Sequence, residues 1–241
     1  MAASATITRV RNRTYNFYRW RYESDFLVNL GLAGLFACLT GFGALVKVYL
    51  PWTPVPITGQ LFFVLASAVV LGKHYGGLSQ VIYAFIGILG VPWFAGSNTN
   101  PQPIFDGLPG LYHGVGGLAI LTGPTFGYIL GFIVTALVIG WAIESRVRYR
   151  RPAFLGLLLL AGTGLVYLLG SVWFYLWWTT GFGLVASRGD LSFGDLMFRT
   201  VIPFVPLDLV KAGIVLGIGA VILPNRPFAR EKDARSGEVI T

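Results

Sequence analysis

An all-α polytopic membrane fold, with six transmembrane helices in one bundle, is what this sequence predicts, and three observations predict it. Apolar residues make up 55% of the 241 positions and charged residues 12%, against about 25% charge in a soluble domain. Six apolar stretches near membrane length can be drawn along the chain, which leaves no room for a separate soluble domain. Finally, 14 of the 18 Lys and Arg residues fall on one side of a six-span path. Positive loops stay inside, so that side, with both termini, is expected to be cytoplasmic.

The elements follow in order. Residues 1–25 read as a basic cytoplasmic segment carrying Arg9, Arg11, Arg13, Arg19 and Arg21. The first span, about Phe26 to Val46, has Ala33 and Ala37 one turn apart with Gly31 nearby, a spacing that lets another helix approach closely in lipid. That helix belongs either to the same bundle or to a partner. Pro51 to Gln60 holds three prolines, too many for a helix, so it is expected to enter the outer leaflet as a turned segment that caps a cavity. The second span is short, about Thr58 to Leu71, and Lys73 follows it. The third runs from about Gly77 to Phe94, ending in Gly87–Gly96 with small residues and interfacial aromatics.

A long outer loop then reaches about Gly117, a length typical of lids or disordered segments. The fourth span, about Ala119 to Ile143, opens near Thr122-Gly123-Pro124-Thr125-Phe126-Gly127-Tyr128. Arg146, Arg148, Arg150 and Arg151 separate it from the fifth, about Ala153 to Trp178. The sixth runs from about Val201 to Leu223. Residues 26–223 thus form one membrane domain, and residues 224–241 a basic cytoplasmic tail.

Composition also excludes. The lone Cys38 rules out an intrachain disulfide, and isolated His74 and His113 give no paired-His metal motif, so no metal or cofactor is expected. The net charge of +8 is divided among separate cytoplasmic edges, which argues for a lipid bilayer and against a nucleic acid as partner. No G-x-x-x-x-G-K-[ST] loop occurs, so any ATP must be hydrolysed elsewhere. G-x-S-x-G, H-E-x-x-H and carboxylate pairs at catalytic spacing are missing too, which argues against an enzyme.

The chemistry concentrates in Pro203 to Lys211. Asp208 and Lys211 lie inside a membrane-length apolar segment, three apart on a helix, where they share a face and can neutralise each other. Charges at that depth are costly and default to a binding role, with a structural ion pair as the alternative.

Pro54–Gln60, Pro92–Gly96, Gly123–Tyr128 and Pro203–Asp208 with Lys211 occur in an order that resembles the BioY family, the biotin-specific S components of energy-coupling factor transporters. The resemblance covers about Leu27 to Val221. It implies a six-helix protein of the cell membrane that binds biotin near its outer face as transported ligand. It also implies assembly with a transmembrane coupling subunit and two cytoplasmic ATPases. Phe126 and Leu207 stand where the family commonly has Gly, Trp93 replaces a smaller aliphatic residue, and the outer loop is longer than usual. The larger side chains are expected to reshape the cavity.

With biotin as the ligand, Asp208 is expected to accept from a ureido N–H and Lys211 to donate to the ureido carbonyl or to meet another polar group of the ligand. Asn98, Thr125 and Tyr128 are further hydrogen-bonding candidates, while Trp93, Tyr167 and Trp173 are candidates to pack on the bicyclic ring. S components of this class dock through an Ala-x-x-x-Ala pattern, so the resemblance makes Ala33 and Ala37 candidates for the contact with the coupling subunit. The alternatives are an S component for another vitamin and a stand-alone secondary biotin carrier.

Overall fold

The computed structural model describes residues 16–17, 20, 23–53, 55–96, 112–180 and 189–224. The elements whose bounds lie within the described residues follow each other as α1 (Phe26–Leu45), β1 (Lys47–Val48), β2 (Ile57–Thr58), α2 (Gln60–Ile88), α3 (Phe126–Ser145), α4 (Pro152–Thr180), α5 (Phe193–Thr200) and α6 (Val205–Ile222). Among the described residues, five of these, α1, α2, α3, α4 and α6, are long and apolar enough to cross a membrane. Apolar side chains such as Leu27, Leu35 and Phe42 on α1, Leu157 and Leu168 on α4, and Leu209 and Ile214 on α6 stand exposed on the outside. In water such a belt would drive association; in a bilayer it is the lipid contact.

The second and third expected spans fall largely within α2, which reverses at Gly72. There φ is 70° and ψ is −163°, a region only glycine occupies without strain. The reversal is shown by what meets across it. Gln60 Nε2 donates to the Tyr83 hydroxyl at 2.7 Å, although 23 residues of straight helix would part them by about 34 Å. Glu144 at the end of α3 secures the turn, accepting from the Lys73 amide at 3.1 Å.

The two limbs of α2 form the centre of the bundle, packed by α1 and α3, with α4 beyond α3 and α6 against both α2 and α4. Ala33 and Ala37 are 0% exposed. Their small side chains are turned inward, where α1 packs on α2, so a docking contact through these two alanines does not fit their placement. The basic turn at residues 146–151 also holds a surprise. Arg150 is fully buried, and its Nε donates to the Ile143 carbonyl at 2.9 Å, capping one of the carbonyls that the end of α3 leaves unpaired.

The outer ends depart most from the expected spans. The third ends at Ile88, and Phe94 then bridges Val115 as extended backbone. The fourth begins at Phe126, because Gly123-Pro124 separates α3 from a 3₁₀ turn at Leu118–Thr122. The sixth is α6, and it is preceded by a short helix the sequence reading did not draw, α5, capped by Ser192 Oγ accepting from the Asp195 amide. With Phe193 and Phe198 exposed and a polar opposite face, α5 has the pattern of an interfacial helix.

A candidate ligand cavity near the outer helix ends

The start of α6 carries the first component. Phe204 caps the helix, Pro206 occupies its first turn without wasting an N–H, and Asp208 sits where the N-terminal dipole favours an anion. Asp208 is buried, yet both carboxylate oxygens are engaged. Lys211 Nζ lies 2.6 Å from Oδ1, and the Tyr167 hydroxyl of α4 donates to Oδ2 at 2.7 Å. Lys211 donates further to the Thr58 carbonyl at 2.6 Å.

Thr58 joins this chain to a second one. Its hydroxyl donates to Gln60 Oε1 at 3.0 Å, and Gln60 in turn donates to Tyr83. Six residues from α2, α4, α6 and the hairpin thus hold one another's polar atoms in place. Preorganised polar groups of this kind lose little freedom when a ligand arrives. On the other side the Tyr128 hydroxyl donates to the Thr200 carbonyl at 2.9 Å, and the Thr200 and Ser171 hydroxyls meet at 2.8 Å. Trp52 and Thr53, ahead of β2, are tied to α5 by Thr53 Oγ1 donating to the Arg199 carbonyl and by Arg199 donating to the Trp52 carbonyl.

These groups surround a narrow, partly open cavity of about 60 Å³. Val55, Ile57, Leu61, Ile129, Phe132, Val166 and Phe204 make its apolar walls, while Thr58, Gln60, Tyr83, Thr125, Tyr128, Tyr167 and Asp208 supply polar atoms. Apolar walls with a few placed polar atoms are the makeup of a small-molecule site. Among the described residues no group of three or more His, Cys, Asp or Glu side chains gathers to hold a metal.

Four expected site residues, Thr125, Tyr128, Tyr167 and Asp208, line this cavity. Lys211 does not line it but fastens Asp208 from behind. Trp93 donates its indole N–H to the Tyr83 carbonyl at 3.0 Å and packs 5.5 Å from the Tyr83 ring, so it backs a lining residue. Trp173 donates to the Gly123 carbonyl and meets the Phe126 ring edge-on, holding α4 to the start of α3. Asn98 lies outside the described residues. The substituted positions Phe126, Leu207 and Trp93 are all off the cavity wall, so their bulk does not reshape it as expected.

Sequence reasoning missed Gln60 and Tyr83 as site residues, although an amide and a phenol in apolar spans were visible signals. It also missed Lys47, which is 1% exposed and donates to the Ala95 and His113 carbonyls at 2.7 and 2.9 Å. Burial lowers its ammonium to about 8, which still leaves it charged at neutral pH.

Comparison with known proteins points in one direction. The model of the BioY family matches residues 21–106 and 103–227. A probable biotin transporter BioY from Methanothermobacter thermautotrophicus is 34% identical over 174 residues, 71% of this chain and 96% of that protein. The biotin transporter BioY of Thermotoga maritima is 35% identical over 179 residues, 74% of this chain and 86% of its own. A crystal structure of the S-component for biotin from an ECF-type ABC transporter superposes with a TM-score of 0.61 at 20% identity, over 80% of this chain and 89% of that one. At that identity the likeness is one of fold.

Proposed function

This chain belongs to the BioY family, and from that footing we propose that it is the biotin-binding S component of an energy-coupling factor transporter. The observation that carries the reading is Asp208, held between Lys211 and Tyr167 beside an apolar cavity. A fixed carboxylate is the acceptor that a ureido N–H requires, and the apolar walls suit the thiophane ring and alkyl chain. The names of the relatives, biotin transporters, agree with this chemistry. The chain carries no nucleotide-binding loop of its own, so uptake is assigned to a complex with a coupling subunit and two ATPases.

The test is equilibrium binding of labelled biotin to the detergent-purified chain. Saturable binding displaced by unlabelled biotin and not by riboflavin or thiamine is expected. Displacement by another vitamin would transfer the assignment to a sibling S component, and biotin uptake in cells lacking any coupling subunit would favour the stand-alone carrier.

The two limbs of α2 are taken as separate crossings, which gives six in all and places both termini in the cytoplasm. The basic turn at residues 146–151 is then inside and the loop around Gly107 outside. In a Cys38→Ser background, since native Cys38 is exposed, a cysteine at Arg148 is expected to react with a membrane-impermeant maleimide only after permeabilisation. One at Gly107 is expected to react in intact cells. The reverse pattern would overturn the orientation.

A further inference from the structure

Among the described residues, Lys47 is a buried cation with no carboxylate against it. It opens β1 directly opposite Thr58 of β2, and residues opposed in an antiparallel pair present their side chains to the same face. Thr58 lines the cavity, and so does Ala95, whose carbonyl accepts from the Lys47 ammonium at 2.7 Å. The ammonium therefore stands one residue behind the cavity wall. Its other contacts are the His113 carbonyl at 2.9 Å and the Tyr49 ring, whose centroid is 5.9 Å away. Among the described residues no carboxylate meets it. Two carbonyls occupy two of its three protons, but they do not neutralise its charge, and an uncompensated buried charge is costly.

The charge balance of the cavity wall is the complement of this. Among the described lining residues Asp208 is the one charged side chain, and Lys211 already neutralises it. A ligand that ends in a carboxylate would bring a second negative charge into an apolar space with no cation lining it. We propose that Lys47 supplies the positive charge that recognises the carboxylate end of the ligand, acting from behind Ala95. This rests on the biotin reading above and adds to it a residue that selects for the anionic form. The competing role is a plain strut that ties the strands around Ala95 and His113 to the hairpin.

The two roles separate when an anionic and a neutral ligand are compared. Biotin and biotinamide share the bicyclic ring and differ in the charge at the end of the chain. Binding of each is measured at pH 7 to the purified full chain, wild type and Lys47→Gln, with folding checked by thermal unfolding. Wild type is expected to prefer biotin by about 10- to 100-fold, the effect of one charge a residue's breadth away in a protein-like dielectric. Lys47→Gln keeps a donor without the charge. It is expected to lose biotin affinity by that factor, to bind biotinamide as wild type does, and so to abolish the preference.

Lys47→Arg is expected to retain the preference, and Lys47→Met replaces Lys47→Gln if the latter does not fold. Equal weakening of both ligands would leave only the strut and overturn the proposal. So would unchanged biotin affinity in a folded neutral variant. A wild-type preference below about tenfold overturns it without any variant. Failure of wild type to bind either ligand would be the failure of the biotin reading itself.

Discussion

Asp208→Asn is expected to weaken biotin binding by at least about 1.5–3 kcal/mol, the usual worth of a hydrogen bond to a charged group, or about ten- to hundred-and-fifty-fold in Kd. The substitution preserves size and leaves one acceptor oxygen, but it removes the charge that both Lys211 and Tyr167 address. Lys211 then keeps only its bond to the Thr58 carbonyl. Its side chain retains 16% exposure, so its loss of a partner is expected to cost less than the roughly 3–5 kcal/mol seen for fully buried pairs. Binding and thermal stability are therefore measured separately. Tyr167→Phe divides the two effects, because it spares the ion pair and deletes one donor to Asp208, with an expected loss near 1 kcal/mol. A well-folded Asp208→Asn protein with wild-type affinity would reduce the pair to structural closure of the bundle.

The second large effect is at Gly140, on the face of α3 that meets the reversal of α2. A Cβ there would lie 2.4 Å from the Gly72 carbonyl carbon and from the Lys73 nitrogen. Those are backbone atoms with no rotamer to change. Nor can α3 simply retreat, since Glu144 one turn later holds the Lys73 amide. Gly140→Ala is accordingly expected to cost about 1–3 kcal/mol by overpacking, and Gly140→Leu more, read as lowered thermal stability in detergent. Gly31→Ala is the control, with nothing within 4 Å of the added carbon. Equal stability of Gly140→Ala and Gly31→Ala would show that this approach is looser than the structure has it.

How far the site was legible depended on how local each contact is. Asp208 and Lys211 stand three apart, so helix geometry alone paired them, whereas the Tyr167 hydroxyl reaches Asp208 across 41 positions. Gln60 and Tyr83 become neighbours only because α2 folds back at Gly72. Trp93 and Trp173 look equivalent in sequence to ring-stacking aromatics, but packing between distant segments decides the matter, and both give their indole N–H groups to backbone carbonyls without lining the cavity. Ala33 and Ala37 announced a close helix approach without saying which helix approaches. Lys47 drew no notice in the sequence, because nothing near it reveals that the chain around Ala95 and His113 will close over it.

By itself the sequence determined the membrane class, the approximate course of the apolar segments and the intramembrane pair Asp208–Lys211. These are properties of short windows: transfer of apolar residues into lipid sums along the chain, and helical periodicity fixes neighbours three and four apart. Only the tertiary structure decided that the α1 alanines face inward, that the polar chain runs from Tyr83 through Thr58 to Tyr167, and that Lys47 is buried behind the wall. Those outcomes depend on which helix faces which. In lipid that choice is made by close packing and polar satisfaction between distant segments, since every apolar face is equally at home against a neighbour or a lipid tail.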